Sequence, residues 1–332
     1  MIVTSPTNRS QLFETHQILT QGGELLHAAV MVPKAPVVPK RVVFFSPLIG
    51  AAAVAPLLTF REFARRGSIL VSFEHRGHTR STGTFELDKA VVDVEHAMVW
   101  AWDYANQRGL PLHGFAMCFG NISLLAQFKE HGYGSILRSI TTIAGLLRLD
   151  QILRAEDFVP IFSRHLGRDL PMAEFMEGVA KQSFDWDGDE FRGALCEYIG
   201  GLFNHLRVGK DFFEQLRYDR TNIPLTIMQL ANAAYLKGMH VPPEIPHDVF
   251  IGTKDDALSS ETVEGRQAYI REALELVPHA TIYEGEFDHF GRGVDHSSVI
   301  NQICDLFDRH DAHVVPPPHF SRVVESLQRR PR

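Results

Sequence analysis

The residues best suited to do chemistry lie in His113-Gly114-Phe115-Ala116-Met117-Cys118-Phe119-Gly120-Asn121. An apolar run stops at Cys118, a helical pattern follows at once, and small residues stand two positions away on each side, Ala116 and Gly120. A sharp strand-to-helix turn with a nucleophile at its tip needs this spacing, because larger side chains there would collide with the turn. A helix N-terminus beneath Cys118 would favour its thiolate, and the Phe119 N–H would point at a developing oxyanion. Taken alone, the pentapeptide also fits a small buried hydrophobe, the commonest fate of a free cysteine.

Two partners for Cys118 follow later in the chain. Gly252-Thr253-Lys254-Asp255-Asp256-Ala257-Leu258 comes directly after an apolar run. An acid on that loop could orient a histidine; Asp255 is the first candidate and Asp256 the alternative, and Lys254 is equally at home on a solvated turn. Tyr283-Glu284-Gly285-Glu286-Phe287-Asp288-His289-Phe290-Gly291 then offers His289 as the general base that would deprotonate Cys118 and later protonate the leaving group. With 17 histidines in the chain, His289 alone decides nothing. The joint placement of nucleophile, acid and histidine, each after an apolar strand-like run, carries the argument.

The elements that must position these residues are legible from hydropathy. Residues 14–20 and 24–32 read as short strands around Gln21-Gly22-Gly23. Runs at 41–46, 68–73, 110–117, 137–144, 247–251 and 280–283 read as buried strands. Helical patterns at 53–65, 87–106, 121–129, 261–276 and 295–310 alternate with them. This rhythm specifies an α/β fold with a mostly parallel sheet covered by helices on both faces. It is interrupted between Leu146 and Gly238, where no strand pattern occurs. The expected division is a core of residues 1–145 and 239–312, a helical cap over 146–238, and a C-terminal extension over 313–332.

Composition bounds the function. The 332 residues correspond to about two domains, or one large domain with an insertion. Net charge is −7 with no basic block, which excludes nucleic acid as the expected partner. No apolar run approaches the roughly 20 residues of a membrane span, and the N-terminus lacks a charged-then-apolar leader pattern. Three dispersed cysteines (Cys118, Cys196 and Cys304) without a CxxC pair argue against disulfides or a zinc site, so a cytoplasmic setting is expected. No metal or other cofactor is called for. Phenylalanine is in excess, with 23 Phe against 7 Tyr and 3 Trp, and that apolar aromatic surface must be buried somewhere.

With nucleophile, acid and histidine in this order, the chain resembles an α/β-hydrolase over nearly its whole length. By that resemblance, Ser46-Pro47-Leu48 corresponds to the family's oxyanion loop. The backbone N–H of Leu48 would be the second donor beside that of Phe119, since Pro47 has none. Glu74-His75-Arg76-Gly77-His78-Thr79-Arg80-Ser81 is similar to the family's acid-x-Arg-Gly-x-Gly-x-Ser turn, with Thr79 in place of the second glycine. The turn reads as structural, with Arg76 tying loops together. A narrower resemblance, carried by Gly145-Leu146-Leu147-Arg148-Leu149-Asp150-Gln151-Ile152-Leu153 and the helical cap after it, is to the bacterial luminescence acyl-transferases. Those enzymes use serine where this chain has Cys118. Cysteine triads like this one also resemble those of polyhydroxyalkanoate synthases and dienelactone hydrolases.

An acyl-cysteine is itself a thioester, so exchange with an acyl-CoA or acyl carrier protein is nearly thermoneutral, whereas acylation by an ordinary ester is uphill. The expected activity is therefore acyl transfer or thioester hydrolysis through acyl-Cys118, with an acyl-CoA or acyl carrier protein as donor. Phe158, Phe162, Phe184 and Trp186 in the cap are the candidate substrate-binding residues, lining an apolar tunnel; packing of the cap explains the same residues. Two other functions fit the pattern: opening of an activated lactone or cleavage of a carbon–carbon bond, and ligand binding without catalysis.

Overall fold

The computed structural model describes residues 13–48, 51–129, 133–148, 155–181, 183–185, 188–202, 236, 238–255, 258, 260–289 and 291–312. Among these, eight strands form one sheet. They are β1 (Glu14–Leu19), β2 (Leu25–Met31), β3 (Arg41–Ser46), β4 (Ser68–Phe73), β5 (Leu112–Cys118), β6 (Ile140–Gly145), β7 (His247–Gly252) and β8 (Thr281–Gly285). Their spatial order is β1-β2-β4-β3-β5-β6-β7-β8. The β1–β2 and β2–β4 pairs are antiparallel, and every pair from β4 onward is parallel. Every residue of β3, β4, β5, β6 and β7 is buried, as the unbroken apolar runs require of strands covered on both faces.

The helices are α1 (Val54–Thr59), α2 (Arg61–Arg65), α3 (Leu87–Asn106), α4 (Phe119–Leu125), α5 (Ala155–His165), α6 (Met172–Lys181), α7 (Asp189–Leu202), α8 (Val263–Leu276) and α9 (His296–Ala312). Where the sequence predicts one helix over 53–65, the chain breaks at Phe60, whose ring is wedged against Phe45 (5.5 Å) and Phe115 (4.8 Å). Packing this aromatic into the core outweighs helix continuity.

The strand order places the site. The chain passes from β3 to β4 on one side and then returns to β5 on the other side of β3, so the strand order reverses here, the point at which α/β sheets place their sites at the carboxyl ends of the strands. Cys118 ends β5 and Leu48 follows β3. The main core covers both faces of the sheet, and a second core, centred on Phe158, Phe162, Phe175, Phe191 and Tyr198, belongs to α5, α6 and α7.

Candidate active site

Cys118 closes β5 with φ 48° and ψ −131°, and α4 begins at the next residue. A non-glycine residue is rarely held in this region, and the strain persists only where its surroundings force it. Those surroundings are visible. The Cys118 carbonyl accepts the Leu146 N–H at 3.0 Å, while Asn121 Nδ2 donates to the Leu146 carbonyl at 2.9 Å. One residue after β6 thus grips both the turn and the first turn of α4. Tyr269, from α8, donates its hydroxyl to the Gly145 carbonyl at 2.6 Å and supports the same point. Gly120 must lack a side chain, since a Cβ there would lie 2.2 Å from the Ser46 carbonyl oxygen. That close approach sets the start of α4 against the end of β3, with Leu48 two residues on.

The acid and the histidine are brought together by their loops. Thr253 N–H donates to the Gly285 carbonyl (2.9 Å) and Lys254 N–H to the Phe287 carbonyl (3.1 Å), zipping the segment after β7 to the segment after β8. Asp255 is fully buried and accepts the Leu258 N–H at 3.1 Å. His289 Nδ1 donates to Asp255, with both carboxylate oxygens 3.0 Å away. His289 therefore meets Asp255; Asp256 lies outside the described residues.

Burial by itself would lower the His289 pKa, but the Cys118 sulfur and the Asp255 carboxylate more than reverse this and push it up to about 10. Both partners act in the same direction, favouring the protonated ring. Cys118, His289 and Asp255 are 8%, 2% and 0% exposed, so their mutual electrostatics act in a site largely closed to water.

The turn after β4 is built around a buried ion pair. Arg76 donates to Asp93 from its backbone N–H (2.8 Å), Nε (2.9 Å) and Nη2 (2.7 Å), and reaches Glu24 from Nη1 (3.1 Å). Thr79, standing where the resembled turn has glycine, carries a positive φ of 26°. Sequence reasoning missed a second function of this turn. Glu74 accepts the Ala53 N–H at 3.1 Å and the Arg80 N–H at 2.8 Å, tying the far end of the segment after β3 to the turn. A carboxylate at the end of an otherwise apolar strand was the available signal.

The cap residues expected to line a tunnel are placed as follows. Trp186 lies outside the described residues. Phe158 and Phe162 are buried and stacked at 5.6 Å, and Phe184 packs edge-on to Phe162 at 5.4 Å. Phe175 and Phe191 complete the cluster, both buried against Phe162 at 6.3 and 5.6 Å. At these positions the rings hold α5, α6 and α7 to one another.

No family model matches the chain, and no curated protein matches it in sequence. Solved structures do. A soluble variant of monoglyceride lipase from Saccharomyces cerevisiae, in complex with a substrate analogue, superposes with a TM-score of 0.58 at 13% identity, covering 93% of this chain and 99% of the lipase. A carboxyl esterase from Bacillus coagulans gives 0.56 at 13% identity, over 91% of this chain and 100% of that one. An enol-lactonase from Burkholderia xenovorans gives 0.52 at 16% identity, over 88% and 99%. The fold is the α/β-hydrolase fold. Within that fold, Cys118 ends the fifth strand, Asp255 follows the seventh and His289 follows the eighth.

Proposed function

We propose that the chain is an acyl-transfer enzyme in which Cys118 is the nucleophile, His289 the proton carrier, Asp255 the orienting acid, and the N–H groups of Leu48 and Phe119 the oxyanion donors. The observation that supports this most is geometric: His289 Nδ1 lies 3.0 Å from both carboxylate oxygens of the buried Asp255, and Cys118 stands at the tip of a strained strand-to-helix turn. In the first half-reaction the sulfur of Cys118, its proton passed to His289, attacks the acyl carbonyl, and the two amides receive the charge that develops on its oxygen. The tetrahedral adduct collapses with departure of the leaving group, which takes its proton from His289. In the second, His289 removes a proton from water, an alcohol or an amine, which attacks acyl-Cys118; the Cys118 thiolate departs and the ring keeps the proton, restoring the starting pair. Asp255 holds Nδ1, so that Nε2 makes each proton transfer.

The donor is an activated acyl group with an apolar chain, such as an acyl-CoA or acyl carrier protein thioester, because acyl-Cys118 lies at thioester energy. An enol lactone has a comparably good leaving group, and the likeness to the Burkholderia enol-lactonase favours it as a second substrate class. A panel of acyl N-acetylcysteamine thioesters, enol lactones and simple alkyl esters separates these readings. Turnover is expected with thioesters, and with thioesters the rate is expected to hold through neutral pH and fall as pH rises through about 10, where the pair loses the His289 proton. Turnover of simple esters alone would contradict the proposal.

A further inference from the structure

His75 is completely buried on the turn that follows β4, with its ring 5.1 Å from Phe73, 5.6 Å from His78 and 6.2 Å from Phe119. Burial, first of all, pushes its pKa down to about 4, so the ring is neutral at neutral pH and carries one N–H donor. Among the described residues neither ring nitrogen makes a hydrogen bond. The nearest carboxylate oxygen, on Asp93, is 3.9 Å from Nδ1, and that carboxylate is already engaged by Arg76. A buried donor without an acceptor is costly and calls for a reason. The Pro47 carbonyl lies close enough to favour a proton on the ring.

That carbonyl shares a peptide unit with the Leu48 N–H. The unit is planar and, in the trans form, its C=O and N–H point in opposite directions. We propose that His75 is a positioning residue for the oxyanion site: its N–H, unpaired at rest, closes on the Pro47 carbonyl as charge develops in the adduct and so holds the Leu48 N–H on the opposite side, while its ring backs the Phe119 ring. Charge on the acyl oxygen polarises the Pro47–Leu48 peptide and strengthens its carbonyl as an acceptor, so the bond unmade at rest tightens as the adduct forms. The inference rests on Cys118 being the acylated nucleophile.

The test compares His75→Phe, which keeps an aromatic ring without a donor, with His75→Gln, which keeps a donor. Two rates are read: turnover of an acyl N-acetylcysteamine thioester, and alkylation of Cys118 by iodoacetamide, which needs the sulfur but no oxyanion donor. For His75→Phe the alkylation rate is expected to stay at the wild-type value, KM to change little, and kcat to fall by about 30- to 100-fold. His75→Gln is expected to recover kcat to within about 10-fold of wild type. A His75→Phe enzyme with wild-type kcat, or one whose alkylation falls in step with kcat, overturns the proposal. Should His75→Phe not fold, His75→Gln and His75→Met carry the same comparison, and equal kcat values overturn it. Wild-type enzyme is the control: if it forms no acyl-Cys118, the nucleophile reading itself has failed.

Discussion

At the scale of single residues, the turn at Cys118 stores strain where the strand gives way to the helix. A φ of 48° costs an L-residue about 1–3 kcal/mol, and glycine escapes most of it. Cys118→Gly is therefore expected to be more stable than Cys118→Ala by about 1–2 kcal/mol in urea unfolding, even though both lack the sulfur. Equal midpoints would mean that the turn is relaxed. Cys118 and Gly120 were legible in the sequence because sterics allow few residues in such a turn. The Asp255–His289 contact was legible only as a possibility. Choosing between Asp255 and Asp256 takes the backbone hydrogen bonds that zip residues 253–254 to residues 285–287, and no local pattern encodes them.

At the scale of elements, strands were read well because period and burial coincide: β3, β4 and β7 occupy nearly the runs that hydropathy marked. Helices were read less well where tertiary packing competes with propensity, as at Phe60. The helix after Cys118 starts at Phe119, two residues before its expected start, because the strained turn ends the strand abruptly. The turn after β4 illustrates what a motif hides. Arg76 was expected to tie loops together, but its fully buried partner Asp93 lies 17 residues on, in α3. Removing one member of a buried pair leaves the other's charge uncompensated. Asp93→Asn is thus expected to lower unfolding stability by about 3–5 kcal/mol, and to lower turnover too, since Glu74 and His75 ride on the same turn. A loss below about 1 kcal/mol, as at an exposed pair, would contradict the structural role given to Asp93.

At the scale of the whole molecule, composition posed the question of where so much phenylalanine is buried. Among the described residues there are two destinations. Phe44, Phe45, Phe60, Phe63, Phe73, Phe115 and Phe307 pack in the core around the sheet, and Phe158, Phe162, Phe175 and Phe191 form a separate core among α5, α6 and α7. A tunnel wall and a packed core draw on the same residue types, so the sequence could not separate them. If the cap stands on its own core, Phe162→Ala should destabilise it by about 3–5 kcal/mol. Amides of 155–202 should then exchange faster with deuterium while those of β3, β5 and β6 keep their protection; equal loosening of the sheet would show that the two cores act as one. Among the described residues no helix is long and apolar enough to cross a membrane. The site lies at the carboxyl ends of the parallel strands, where the strained turn at Cys118 meets the buried Asp255–His289 pair. The most direct test of its function is the intact mass of the protein after brief exposure to an acyl N-acetylcysteamine thioester, followed by peptide mapping. The wild-type chain should gain one acyl group on the peptide containing Cys118, and Cys118→Ala should gain none. No added mass, or the same gain in Cys118→Ala, would contradict the proposal that Cys118 is an acyl carrier.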